Sequence, residues 1–136
     1  MDCIFCKIAN GQIKAKTVMD TESSIAFLDA FPLTKGHTLV IPKKHYEKIQ
    51  QMPQRDSTDL FETLHKVVAK VDTLTGATLV AIHNGRGAGQ EIPHVHVHLI
   101  PRSQDDSASA VHSMFTRRPD LSDLEFDQVL SKLKSA

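Results

Sequence analysis

The segment PHVHVHLIP, residues 93–101, alternates imidazoles with branched aliphatic side chains at a period of two. An extended strand sorts such a pattern, because its residues i, i+2 and i+4 share one face. His94, His96 and His98 then point one way, while Val95, Val97 and Leu99 point the other way into a core. One face of the strand packs and the other displays imidazoles.

The rest of the chain supplies partners for such a strand. TVMD (17–20), SIAFLD (24–29) and HTLVIP (37–42) are short β-branched or aromatic runs bounded by turn residues such as Gly36 and Pro42. After Pro53, the residues Leu60, Phe61, Leu64, Val67, Val68, Val71 and Leu74 recur at helical spacing. Asp56 or Ser57 can cap the start of that helix, and Gly76 stops it. A further strand, ATLVAIHN (77–84), leads through GRGAG to the histidine strand. SQDDSASA (103–110) reads as a solvated connector. Ser122 and Glu125 then form a capping box with Leu121 and Phe126 as its hydrophobic staple. Phe126, Val129, Leu130 and Leu133 give that last helix one apolar stripe. With no internal repeat, the 136 residues predict a single α+β domain on an antiparallel sheet.

Composition excludes several classes. Sixteen Lys and Arg balance sixteen Asp and Glu, so no basic surface argues for nucleic acid. No apolar run approaches the roughly 18 residues of a membrane helix, and no secretory segment opens the chain. Two cysteines are too few for a disulfide framework. The expectation is a cytoplasmic protein, also nuclear if its source is a eukaryote.

Three histidines on one face admit three readings: a plain polar strand face, a metal site, and phosphoryl-transfer chemistry. His94 and His98 would lie roughly 13 Å apart along a strand. Zinc needs each nitrogen at about 2.0–2.1 Å, so all three cannot easily bind one ion. In phosphoryl transfer one imidazole attacks, a neighbour binds phosphate oxygens, and the backbone fixes the tautomer. Gly85, Gly87 and Gly89 in HNGRGAGQ (83–90) fit either a simple hairpin turn or half of a phosphate cradle. This segment is neither a Walker A loop nor G-x-G-x-x-G. Cys3 and Cys6 are half a zinc site, a redox pair without thioredoxin-like context, or two free thiols.

HVHVHLI matches His-φ-His-φ-His-φ-φ, where φ is apolar, at every position, and the chain resembles the histidine triad (HIT) family. The resemblance extends to GQEIP before the motif, to FLDAFPLTKGHTLVIPKKH (27–45) and to CIFCKI at the start, about residues 3–102. Residues 103–136 form a variable segment and helix outside it. The resemblance implies a HIT-like fold, an antiparallel five-stranded sheet with a long helix and a C-terminal helix. It also implies a nucleotide hydrolase or transferase acting at an α-phosphorus.

Carried onto this chain, His96 becomes the nucleophile, with His98 and His37 beside the phosphate. Gln90, with the backbone around Gly89 and Glu91, would hold phosphate oxygens, and Asp29 would grip the ribose hydroxyls. Ile4, Phe5, Ile8 and Phe27 match base-pocket positions, although ordinary core packing would explain them too. Two positions depart from the family pattern. His83 stands where relatives commonly carry Asn or Gln, a role that Asn84 or His83 itself could cover. Glu91 stands where many carry Ser or Thr near the leaving group.

A zinc-carrying, Hint-like branch of the family pairs the CxxC with two histidines, here His45 and His94. The resemblance thus implies a structural zinc on Cys3, Cys6, His45 and His94, leaving His96 and His98 for chemistry. It implies a homodimer through the long helix and a sheet edge, and an adenosine 5'-monophosphoramidase-type activity on AMP-containing purine nucleotides. A Fhit-like dinucleoside polyphosphate hydrolase and a nucleotide-binding adaptor with incidental turnover are the alternatives.

Overall fold

A computed structural model describes residues 2–136. Its order is α1 (Ile4–Ala9), β1 (Thr17–Asp20), β2 (Ser24–Leu28), β3 (Thr38–Pro42), α2 (Gln54–Asp72), β4 (Thr78–Ile82), β5 (Val97–Pro101) and α3 (Asp123–Ser135). The strands form one five-stranded sheet in the order β1-β2-β3-β5-β4, antiparallel at every pairing. The antiparallel sheet with helices is the fold that the sequence predicts. No described helix is long and apolar enough to cross a membrane. The chain divides into two compact units, Met1–Asp106 and Ser107–Ala136.

Within the first unit, period-two alternation sends side chains to opposite faces of the sheet. Ala26, Val40, Val97 and Leu99 gather on one face with Leu60, Val67 and Val71 of α2. Ile25, Phe27, Leu39 and Ile41 gather on the other with Cys3 and Phe5 at α1. In the ladder, His98 lies opposite Leu39 on β3. The imidazole face of the strand is thus the face that α1 covers.

Four expectations need correction. The ladder of β5 begins only at Val97, so His94 and His96 precede the strand. The cause is the Val95 N–H, which donates to the Tyr46 carbonyl at 2.7 Å rather than to a neighbouring strand. The histidines are not displayed to water: His94 is 0% and His96 6% exposed, because Phe5 packs edge-on against both rings. The long helix starts before Asp56 and Ser57, with Pro53 as its cap residue. Proline suits a helix start, where it forfeits no hydrogen bond. Asp56 instead sits buried in the first turn, accepting from the Tyr46 hydroxyl at 2.5 Å. β4 ends at Ile82, which leaves His83 and Asn84 in the glycine loop.

In the second unit, α3 carries the expected capping box. Ser122 Oγ accepts from the Glu125 N–H, and Glu125 Oε1 accepts from the Ser122 N–H, each at 3.2 Å. Its apolar side chains Phe126, Val129, Leu130 and Leu133 are exposed.

Candidate active site

Cys3 is the cap residue of α1 and Cys6 lies in its first turn, so CxxC spacing puts both thiols on one side of the helix. His45 follows β3 and His94 precedes β5. Their ligand atoms and both sulfurs lie within 4.8 Å of one another. His94 Nδ1 is 3.5 Å from Cys3 Sγ and 3.6 Å from Cys6 Sγ, and His45 Nδ1 is 3.4 Å from Cys6 Sγ. His94 Nε2 is 2.8 Å from the Pro42 carbonyl. A carbonyl only accepts, so Nε2 carries the proton and Nδ1 turns a lone pair toward the thiols. Burial, above all, holds His94 down to about 4 despite that carbonyl. Burial and the neighbouring Cys3 raise the Cys6 thiol. Two thiols with two imidazoles suit a tetrahedral zinc ion, and the donor set fits the group.

The second cluster begins at Gly36. Its φ is +98°, and a Cβ there would run into Leu74 and come within 3.3 Å of Pro101. Glycine therefore lets the chain turn tightly into β3 and bury His37. His37 Nδ1 accepts from the Leu33 N–H at 3.1 Å. His37 Nε2 lies 3.0 Å from His98 Nδ1 and 3.6 Å from Asp29 Oδ2. Asp29 Oδ1 accepts from the Phe31 N–H at 2.9 Å. The His96 ring is 4.9 Å, centroid to centroid, from that of His98.

His96 Nδ1 is 2.7 Å from the His94 carbonyl. By the same polarity argument it carries the proton there, so Nε2 keeps its lone pair. Burial lowers the pKa of His96 and His37. His98 is pushed down to about 4 by burial first, then by the neighbouring imidazoles. The rings are neutral at pH 7. One of them therefore presents a free nitrogen lone pair beside a half-buried carboxylate, an arrangement able to attack an electrophilic phosphorus.

The glycine loop sorts the remaining residues. Gln90 is buried, with Nε2 donating to the Glu47 carbonyl at 2.8 Å, so its amide braces the loop. Asn84 Oδ1 accepts from the Ile49 N–H, and its Nδ2 donates to Gln50 Oε1. Its amide thus ties the loop to the segment before α2. The His83 ring lies 5.5 Å from that of His98, centroid to centroid, and against Gly89, where a Cβ would come within 3.3 Å. Glu91 is exposed. Phe5 and Phe27 are 5% and 3% exposed and pack on each other; Ile4 and Ile8 keep accessible surface. Sequence reading missed α1 itself and the backbone groups of Leu33, Pro42 and Tyr46. The i, i+3 cysteines were the one available signal for α1.

A cluster of imidazoles on an antiparallel sheet of this order fits a histidine-triad protein, and comparison with known proteins shows the family. The chain belongs to the HIT family, whose HIT domain it matches over residues 10–105. It is 42% identical over 134 residues to an uncharacterized HIT-like protein of Methanocaldococcus jannaschii, covering 97% of this chain and 98% of the relative. It is 39% identical over 106 residues to the adenosine 5'-monophosphoramidase of Schizosaccharomyces pombe, covering 78% of each. A crystal structure of a HIT-family member from Bacillus subtilis aligns with a TM-score of 0.85 at 30% identity, over 99% of this chain and 96% of that one.

Proposed function

We propose that the protein hydrolyses purine nucleoside phosphoramidates at the α-phosphorus through a nucleotidyl-His96 intermediate, releasing AMP and an amine. The observation that carries this reading is the buried His96 ring, whose Nδ1 proton is held by the His94 carbonyl while Nε2 keeps its lone pair. In the first step Nε2 bonds to phosphorus and the P–N bond to the amine breaks. The amine leaves with its bonding pair and takes one proton from solvent. Water then adds to phosphorus, His96 departs with the pair it had shared, and the protons of that water go to solvent. His98 donates a hydrogen bond to the reacting phosphate with His37 beside it, and Gly89 and Gln90 border it, so charge is stabilised by aimed N–H groups. Asp29 holds the ribose hydroxyls. Ile4 and Ile8 offer the base an accessible apolar surface, backed by Phe5 and Phe27.

Cys3, Cys6, His45 and His94 would hold a structural zinc ion. When bound it would supply a cross-link, tying α1 to the segments that follow β3 and precede β5. The proposed homodimer forms through α2 and the edge strand β4, whose one partner among the described residues is β5.

The test is a side-by-side rate comparison of an adenosine phosphoramidate and a diadenosine polyphosphate, with burst analysis. A nucleotidyl burst and faster turnover of the phosphoramidate are expected. Faster turnover of the dinucleotide would replace this reading with the Fhit-like one. Binding of AMP without burst or turnover would make the protein a nucleotide-binding adaptor.

A further inference from the structure

Among the described residues, no backbone group fixes the tautomer of His98 directly; that information reaches it from a loop through His37. The Leu33 N–H points at His37 Nδ1 at 3.1 Å, and a nitrogen that accepts cannot carry a proton. A neutral His37 must then be protonated at Nε2, which lies 3.0 Å from His98 Nδ1. His98 Nδ1 must in turn accept, which leaves its proton on Nε2. Protonating His37 would set two donors, Nδ1–H and the Leu33 N–H, against each other.

We infer that the main-chain N–H of Leu33 is the positioning group that orients the His37–His98 pair, so that His98 offers the reacting phosphate an N–H and not a lone pair. The inference rests on the phosphoramidase reading for its kinetic consequence, but its structural content does not depend on it. The chain has a fixed direction, from amide to imidazole to imidazole, and each member is held by the one before it. Without its first member both tautomers of His37 become available. His98 can then turn a lone pair toward an anionic oxygen, which is repulsive. The Leu33 side chain has no part in this: it is 73% exposed. Asp29 Oδ2, at 3.6 Å from His37 Nε2, favours the same tautomer but lies too far to set it alone.

Two changes delete the donor in different ways. One is Leu33→Pro; the other is a backbone ester made by placing the α-hydroxy analogue of leucine at position 33. Leu33→Ala keeps the donor and serves as control. Imidazole tautomers read by 15N NMR at pH 7 should be Nε2–H for both His37 and His98 in the wild type and in Leu33→Ala. In the two donor-less forms His37 should become a mixture. With adenosine phosphoramidate, kcat/KM should fall roughly tenfold in the ester form, the scale of one hydrogen bond and the repulsion that replaces it, and stay unchanged in Leu33→Ala. A His37 that remains purely Nε2–H in both donor-less forms overturns the inference, as does a tautomer shift in Leu33→Ala equal to that of the ester. A wild-type protein with the expected tautomers and no turnover would instead overturn the phosphoramidase reading alone.

Discussion

Behind His94 in the cysteine cluster stands a backbone carbonyl, that of Pro42; behind His37 in the acidic cluster stands a backbone amide, that of Leu33. Both clusters place three or more potential ligand atoms within reach of one ion, so distance alone does not tell them apart. Polarity does. The carbonyl takes the Nε2 proton of His94 and frees Nδ1 to face two thiols. The amide occupies Nδ1 of His37 and leaves a proton on the nitrogen that a metal would need. The first geometry suits a metal ligand and the second a hydrogen-bond donor. Residue type sets what an imidazole can do, and the backbone atom behind it chooses.

The comparison breaks most sharply at His96, which lies between the clusters and is assigned to chemistry. His96→Ala should lower kcat on the order of a thousandfold or more while AMP affinity changes far less. Acid-quench trapping with labelled substrate, then peptide mapping, should find the nucleotide on the residue 93–101 peptide. Label elsewhere, or full activity in the variant, would move the chemistry out of this cluster.

Next in size is the cysteine side. Purified protein should carry close to one zinc per chain, lost in Cys3→Ser or Cys6→Ser. Because the site would join α1 to two segments distant in sequence, its loss should lower Tm by about 10 °C, equivalent to roughly 3 kcal/mol for a domain of this size. Metal analysis and thermal melts of the same samples check this. A metal-free protein of unchanged stability would leave the cluster as two thiols and two imidazoles with no structural role.

Asp29 sharpens the acidic side. Asp29→Ala should weaken AMP binding by about 1.5–3 kcal/mol, the range for a hydrogen bond to a charged group. The affinity of a bare phosphate analogue should barely change, because the carboxylate is assigned to the sugar. Equal losses in titration calorimetry of both ligands would give Asp29 a role at the phosphate, through His37.

How much of this was legible in the sequence divides along a physical line. The period-two pattern of residues 93–101 found the right faces for Val95, Val97 and Leu99, since burial follows side-chain alternation whether or not a ladder forms. The start of that ladder was illegible, because it turns on one hydrogen bond from Val95 to Tyr46, and backbone groups are the same in every residue. Asn84 shows a related limit: an amide beside a glycine loop suits phosphate, but which way it points depends on Ile49 and Gln50, 35 and 34 residues away. CxxC and its two histidines come together in the structure as the family resemblance implies. The opposite tautomers of His94 and His37 could not be read, since they are set by a carbonyl and an amide brought close by the fold.

The smallest effect is one of pH, and it tests whether the two clusters share one property, a neutral imidazole. Burial holds His98 at about 4 and keeps His37 below its ordinary value despite Asp29. In the unfolded chain a histidine titrates near 6.5. Between those values the unfolded state binds more protons than the folded one, so stability rises with pH across that window. The contribution of a neutral His98 is complete above about pH 6.5 and is lost as pH falls toward 4. Thermal melts from pH 7.5 down to 4.5 should show this as a slope that is shallower in His98→Gln, which has no proton to gain. The catalytic side should follow: the acid limb of kcat/KM should lie well below 6.5, because the donor pair stays neutral until the folded-state values are reached. A limb near 6.5 together with equal melting slopes in both proteins would mean that these rings are solvated in solution. The amide behind His37 would then have no fixed tautomer to choose, and the contrast with His94 would collapse.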